Sequence, residues 1–313
     1  MKATTKKLLC LLAVLTLALS LAVPAAAATE PPSTCPACGA TNIVWMALES
    51  KLGDANLATP SALHTHYYLT EDTVFEGMNA ITTNTVAGNT VCVYFGGFTI
   101  TQNGRNRANS NGTLNLIGPG KMVRSNSANT NQMFVIGGNG QLNCYGKITL
   151  ENQDPDVPMF KIVVGNKFLF EDTTIKTKTF GLLPATTSTP PVATIKGGNY
   201  EIETLFTWDA GWETADPEKQ AKINFDVTGG TFNFEPKADL GKGNTITIPE
   251  GYEVTSASGK WTVAAKAAPA PTPSNPKPSN PSTADNSALL LWTVLAITSG
   301  AALTIASKKR AVK

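Results

Sequence analysis

Two cysteines near the N-terminus have the spacing of a metal-binding turn. Cys35 and Cys38 enclose two residues and are followed by Gly39 in the stretch CPACG. The only histidines, His64 and His66, alternate along a predicted strand, and this spacing directs both rings to one face. Cys35, Cys38, His64 and His66 could therefore complete a tetrahedral zinc site, which would be closed and structural.

Two other states of the cysteine pair stay open. Exported chains often oxidise neighbouring thiols, so a disulfide between Cys35 and Cys38 is the first alternative. Free thiols beside surface histidines are the second. The sequence contains no second CxxC pair and indicates no other cofactor.

Two further cysteines lie in similar predicted strands, TVCVY and LNCYG. Free cysteine behaves as a small apolar residue, so Cys92 and Cys144 are predicted to be buried in the core. A disulfide between them is the alternative, since neighbouring strands could bring them into contact.

A tryptophan pair marks a candidate ligand loop over residues 205–218, in the stretch FTWDAGWETADPEK. Trp208 and Trp212 could form a platform on which a sugar ring stacks, with Asp209 and Glu213 bonded to its hydroxyl groups. The alternative is that both rings pack on the body and cover an insertion.

Acidic pairs are the remaining residues that could do chemistry. A glycosidase needs two carboxylates placed on either side of the bond that it cuts. Asp154 and Asp156 form one pair, and Glu171 and Asp172 form another. Neither pair has a histidine or a pair of arginines nearby in sequence, so we interpret all four as surface acids and predict no catalytic residue.

The elements that must position these residues are short strands. Charged residues make up only 15% of the chain and the net charge is +2, which gives no support for nucleic-acid binding. Short β-branched and aromatic runs are separated by Gly and Asn, and several alternate apolar with polar, as in Leu114-Asn115-Leu116. An all-β body follows.

Glycine pairs recur between these strands at irregular intervals, at Gly96-Gly97, Gly137-Gly138, Gly197-Gly198 and Gly229-Gly230. Repeated strand-corner-strand units of variable length favour a solenoid. A β-sandwich is the alternative, because Asn111-Gly112 and Asn139-Gly140 could each close an antiparallel hairpin.

The body also resembles a known class. The stretches CPACGATNIVW, HYYLTEDTVF and NTVCVYFGGFTITQNGRNRANSNGTLNLIGPGKM are similar to the opening of exported pectate-lyase-like β-helix proteins of Gram-positive bacteria. The stretch GGTFNFEPKADLGKGNTITIPEGYEVTSASGKWTV is similar to their closing unit. The resemblance covers most of residues 35–264 and implies a right-handed parallel β-helix. Some relatives on this fold degrade polysaccharides.

Both chain ends predict export. Lys2, Lys6 and Lys7 precede a largely apolar run over residues 8–23, and small residues follow. This order is typical of a secretory signal peptide cut after Ala27 or Ala28. At the other end, residues 288–306 are apolar and long enough for a transmembrane helix, and a basic tail follows.

A short motif lies ahead of the apolar segment. Asn280, Pro281, Thr283 and Ala284 stand in NPSTA, after a Pro-rich stretch that predicts a stiff spacer. The whole tail resembles the cell-wall sorting signal of Gram-positive surface proteins. The resemblance implies that a sortase cleaves between Thr283 and Ala284 and joins the chain to peptidoglycan. Asn280 and Ala284 depart from the usual Leu and Gly, and a plain membrane anchor is the alternative.

Together these observations predict an extracellular, non-catalytic, adhesin-like protein held at the cell wall or plasma membrane. Its expected partners are a sortase, peptidoglycan or the membrane, and a glycan or a host or community surface protein. A polysaccharide-degrading enzyme and a structural surface-layer or spacer component are the alternatives. The predicted layout is a signal peptide over residues 1–28, a cap with CPACG over 29–63 and the solenoid over 64–264. A Pro-rich linker over 265–282 and a sorting signal over 283–313 follow.

Overall fold

The computed structural model describes residues 29–48, 64–75, 79–82, 88–108, 111–125, 130–237 and 240–267. Those up to Lys266 belong to one compact unit. Twenty strands form in this order: β1 Met46–Ala47, β2 His64–Tyr68, β3 Thr73–Phe75, β4 Asn79–Thr82, β5 Thr90–Tyr94, β6 Thr99–Gln102, β7 Arg105–Ala108, β8 Thr113–Ile117, β9 Gly120–Arg124, β10 Phe134–Ile136, β11 Gln141–Tyr145, β12 Ile148–Asn152, β13 Phe160–Lys161, β14 Lys167–Phe170, β15 Thr173–Leu183, β16 Val192–Trp208, β17 Asn224–Phe232, β18 Thr245–Thr247, β19 Tyr252–Ala257 and β20 Lys260–Ala265. A short 3-10 helix spans Trp212–Thr214.

These strands build a parallel β-solenoid of about five turns, which confirms the predicted all-β class. Before the C-terminal hairpin, strands pair in parallel with strands of the next coil and form three faces. The first face runs β2, β5, β8, β11, β14 and then the start of β16. The second runs β3, β6, β9, β12 and β15, and the third runs β4, β7, β10 and β13. The right hand implied by the resemblance stays a prediction.

The sandwich alternative is wrong for the described body. Asn111 and Asn139 do adopt left-handed backbone, with φ of 59° and 55°, but at corners between parallel strands. Their amides donate to the carbonyls of Gly138 and Val164 at 3.0 and 2.9 Å, which links each corner to the coil above. The same Asn-Gly pair can close a hairpin or turn a solenoid corner, because both need positive φ.

The core fills the inside of the coil with stacked apolar side chains. Phe134 and Phe160 stack with ring centroids 5.3 Å apart, and Phe160 continues to Phe180 at 4.7 Å. Identical side chains on successive coils repeat at the strand spacing of about 4.8 Å, so their rings fall in contact. The result is an extended, rigid core.

An antiparallel unit ends the coil. Strands β19 and β20 form a hairpin, and β20 also pairs with the end of β17. A parallel stack leaves its last edge open, and the hairpin covers part of this edge.

At the N-terminal end of the solenoid, residues 29–48 form the N-terminal segment. This segment covers the outer side of the first face. Strand β1 pairs in parallel with β2. The indole nitrogen of Trp45 donates to the Pro32 carbonyl at 2.8 Å, and the hydroxyls of Thr29 and Tyr94 are 2.7 Å apart. The sheet residues beneath are therefore buried although they point away from the core.

The predicted signal peptide, Pro-rich linker, sorting motif and transmembrane helix fall almost entirely outside the described residues, so they stay predictions. Within the ranges that the structure describes, no helix has the length and apolar character needed to cross a bilayer.

Candidate metal centre

The CPACG stretch forms a tight turn that brings two sulfurs together. The amide of Cys35 donates to the Ala40 carbonyl, and the amide of Gly39 donates back to the Cys35 carbonyl, each at 2.9 Å. Gly39 has φ of 71°, a left-handed backbone conformation in which a residue with a side chain would be strained. Cys35 and Cys38 therefore lie on one turn, with their sulfurs facing the sheet.

His66 and Cys92 lie on the sheet and supply the other two residues of the site. They are direct register partners on β2 and β5. Thr65 and Val91, one position earlier, are buried in the parallel sheet. Because successive side chains alternate across a strand, His66 and Cys92 point outward, toward the N-terminal segment.

These residues converge to form what we call the Cys3His group. The ligand atoms of Cys35, Cys38, His66 and Cys92 all lie within 4.8 Å of one another. Cys38 Sγ lies 3.2 Å from His66 Nε2. Cys35 and Cys92 are fully buried and His66 is 7% exposed.

The group keeps three of the four residues predicted from sequence and replaces the fourth. His64 is exposed at the start of β2 and does not belong to the group. Cys92 takes its place. The sequence contains the information that places the Cys92 side chain, because Val91 and Val93 flank Cys92 in strict alternation. The sulfur of Cys92 therefore lies on the face of the strand opposite to the two valine side chains.

Cys144 follows the sequence prediction. It is fully buried within the main apolar core, and burial raises the pKa of its thiol. The cysteines at positions 35, 38, 92 and 144 are all free thiols in the structure. Cys92 is also buried, as predicted, but it lies among the other members of the Cys3His group.

The electrostatics of the group favour one thiolate at Cys35. A hydrogen bond from Cys92 is the largest cause, and the amides of Cys38 and Ala37 add to it, so the pKa of Cys35 falls to about 5. The same hydrogen bond and burial raise the pKa of Cys92. Burial raises the pKa of Cys38. The site therefore already stabilises negative charge on sulfur.

An asparagine ladder continues from Cys92 along the first face. Cys92, Asn115 and Asn143 are register partners on β5, β8 and β11. Asn143 Nδ2 donates to Asn115 Oδ1 at 2.9 Å, and Asn115 Nδ2 donates to the sulfur of Cys92 at 3.2 Å. Because its oxygen is engaged by Asn143, Asn115 keeps its N–H groups directed at the sulfur.

The arrangement suits a tetrahedral ion with no open coordination position. Zinc–sulfur and zinc–nitrogen bonds of about 2.3 and 2.0 Å separate tetrahedral ligand atoms by roughly 3.5–3.8 Å. Cys38 Sγ and His66 Nε2 are 3.2 Å apart and all four ligand atoms lie within 4.8 Å of one another, so the group is compact enough to surround one such ion. Four protein ligands would saturate the ion, so the chemistry is structural.

The tryptophan loop lies elsewhere, at the end of β16. Trp208 and Trp212 have ring centroids 5.3 Å apart. The Lys242 ammonium lies 4.1 and 4.2 Å from these two centroids and pairs with Glu213. Trp212 is buried and donates to the Ala221 carbonyl, whereas Trp208 and Asp209 are half-buried. An open groove of about 430 Å³ is lined by residues 206–213.

The predicted surface acids divide into two environments. Asp154 is buried and pairs with the fully buried Arg124 at 3.3 Å, which is a structural role that the sequence prediction missed. Its other oxygen accepts the amide of Asp156. Glu171 is half-buried and pairs with Lys196, and Asp172 occupies a corner with φ of 54°.

The described body is thus an all-β parallel solenoid that carries a cysteine–histidine group beneath its N-terminal segment. Comparison of the chain with protein-family models, with curated proteins and with solved structures found no match.

Proposed function

We propose that this protein is an exported, non-catalytic solenoid that is held at the cell exterior and binds glycans in an adhesin-like manner. The observation that carries the proposal is the open groove over residues 206–213, which has two tryptophans in its wall. Such a groove combines an apolar surface with polar groups, as carbohydrate recognition requires.

The polar groups around the rings suit a sugar with uncharged hydroxyls. Asp209 and Glu213 offer acceptors, and the Lys242 ammonium offers donors beside both indole rings. The groove therefore carries both signs of charge, which favours a neutral or mixed glycan over a strongly anionic one. Trp208 is the ring that remains partly open, so it is the expected stacking surface.

The surroundings of the acids support a binding role over catalysis. Asp154 is engaged with Arg124 in the interior, where a polysaccharide has no access. Glu171 is engaged with Lys196 on the surface. Neither the Asp154–Asp156 pair nor the Glu171–Asp172 pair therefore offers the two free carboxylates, exposed together on either side of a substrate, that a glycosidase needs.

The place of action is inferred from the chain ends. The leader-like start, the Pro-rich stretch, the NPSTA motif and the basic tail together suggest export and retention at a Gram-positive cell surface. The Pro-rich stretch would act as a stiff spacer ahead of the anchor.

A glycan and extracellular-matrix array tests the binding proposal with the full-length protein. Trp208→Ala should lower binding to the recognised glycan by about tenfold or more, because stacking of the sugar ring on the indole is lost. Glu218→Ala changes an exposed residue of the same loop outside the groove and should bind like the parent. Equal binding by Trp208→Ala and the parent would refute the groove as the site.

A further inference from the structure

The Cys3His group joins parts of the chain that are distant in sequence. Cys35 and Cys38 belong to the N-terminal segment, His66 to the first coil and Cys92 to the second. We propose that the group binds one Zn²⁺ ion and that this ion fastens the N-terminal segment to the first two coils of the solenoid. The proposal is independent of the glycan groove.

The ligand set is the first argument. Three sulfurs and one imidazole nitrogen within 4.8 Å form the Cys3His combination that structural zinc sites use. Sulfur-rich tetrahedral sites select zinc or iron over calcium and magnesium, which require oxygen ligands. The imidazole presents Nε2 directly to Cys38 Sγ, so the nitrogen already lies where a ligand should be.

The hydrogen bonds around the sulfurs are the second argument. A zinc ion with three thiolates and a neutral imidazole carries one net negative charge, and N–H donors aimed at sulfur stabilise it. Asn115 supplies such a donor to Cys92. The sulfur of Cys92 therefore has an N–H donor from a residue outside the group.

A disulfide is the competing state, and the geometry argues against it. A disulfide would join two sulfurs and leave the third thiol and His66 in a buried pocket beside it. Leaving buried polar groups without proper partners destabilises the folded state. One ion satisfies all four groups at once.

The position of the group gives the ion a mechanical role. Strand β1 has two residues, and few other hydrogen bonds tie the N-terminal segment to the sheet among the described residues. Because the ligands must come together before they bind, metal-binding free energy becomes folding free energy. The ion would therefore order the N-terminal segment, and this segment would cover the first face of the solenoid.

Metal content and coordination test the proposal directly. Full-length protein is produced in zinc-supplemented medium, purified without added reductant or chelator and measured by plasma mass spectrometry. One zinc per chain is expected. X-ray absorption should show three sulfurs at about 2.3 Å and one nitrogen at about 2.0 Å, and cobalt substitution should give the visible bands of a tetrahedral ion.

Matched variants identify the ligands. His66→Ala and Cys92→Ala should each weaken zinc binding by more than about 100-fold, since even residues outside the coordination sphere alter affinity by 10–100-fold. His64→Ala and Cys144→Ala remove the same side-chain types outside the group and should bind zinc like the parent. If a ligand variant fails to fold, the absorption spectrum of the parent still decides.

Hydrogen exchange tests the fastening role. Adding a chelator should accelerate exchange over residues 29–48 by at least about tenfold and leave β11 and β14 unchanged. Metal-free protein in which mass spectrometry finds a disulfide among these cysteines would overturn the proposal. Iron in place of zinc, or zinc lost from His64→Ala but kept in Cys92→Ala, would overturn the assigned ion or ligand set.

Discussion

Asn115 donates an amide hydrogen to the sulfur of Cys92 across 3.2 Å, and neither residue is more than 2% exposed. The contact links the proposed metal site to the asparagine ladder on the outer side of the first face. A donor held this close to sulfur stabilises the thiolate form that binds metal.

Asn115→Leu removes this donor and keeps the volume of the side chain. If the Cys3His group binds zinc, its affinity should fall by about 10–100-fold, as for other residues outside the coordination sphere. Competition with a chromophoric chelator measures the change. Asn143→Ala, which only frees the oxygen of Asn115, should have a smaller effect. Unchanged affinity in Asn115→Leu would contradict the role assigned to this hydrogen bond.

Asp154→Asn should destabilise the solenoid by about 3–5 kcal/mol, because it leaves the Arg124 charge buried without its carboxylate. Urea unfolding measures the loss. Glu201→Gln breaks an ion pair with Lys176 in which both side chains are about half exposed, so its cost should stay below about 1 kcal/mol.

Replacing both members of the buried pair, by Arg124→Met with Asp154→Leu, should recover much of the stability that Asp154→Asn loses. If the double variant were as unstable as Asp154→Asn, the pair would contribute more to stability than the neutralisation of one buried charge by the other.

Gly198→Ala should be among the costly glycine substitutions in the coil. Its φ is 99°, and a Cβ there would lie 1.9 Å from the Thr173 carbonyl oxygen on the neighbouring coil. Left-handed backbone and crowding together predict a loss of roughly 2–5 kcal/mol. Gly211→Ala has a similar φ of 90° but open space around it, so only the backbone cost of about 1–2 kcal/mol is expected. Equal losses in thermal or urea unfolding would refute the close approach.

Trp212→Ala should lower stability by about 3–5 kcal/mol, because its ring is buried and its nitrogen donates to the Ala221 carbonyl. Lys242→Ala removes the side chain whose ammonium lies above the two rings and pairs with Glu213, so its cost should be about 1 kcal/mol. Unfolding curves compare the two. A similar cost for both variants would show that Trp212 does not anchor the loop.

Wall attachment predicts a defined new chain end. If a sortase processes the NPSTA motif, peptidoglycan fragments from the source cells should carry peptides that end at Thr283. Pro281→Ala should abolish this product, whereas Ser282→Ala, at the variable position, should keep it. Mass spectrometry of the cell-wall fraction measures both. A chain that retains its C-terminus through Lys313 in the membrane fraction would support the plain membrane anchor instead.

Much of the fold could be predicted from the sequence, because its signals are local. Alternation in Leu114-Asn115-Leu116 sets two apolar residues on one face whatever the tertiary structure. Gly and Asn at corners such as Asn139 are required by positive φ, so their spacing marks where strands end. These patterns predict short strands and a solenoid, but they predict neither the coil length nor the register.

The sequence by itself predicted Cys35, Cys38 and His66 as possible ligands, together with His64, because of the CxxC spacing and the two histidines on one recognisable strand. Only the tertiary structure decided that Cys92, and not His64, is the fourth. The choice depends on the register of β2 against β5, which is fixed by how many residues the first coil contains and by how the core packs inside it. A pattern read along the chain carries no information about which residue of the next coil lies opposite.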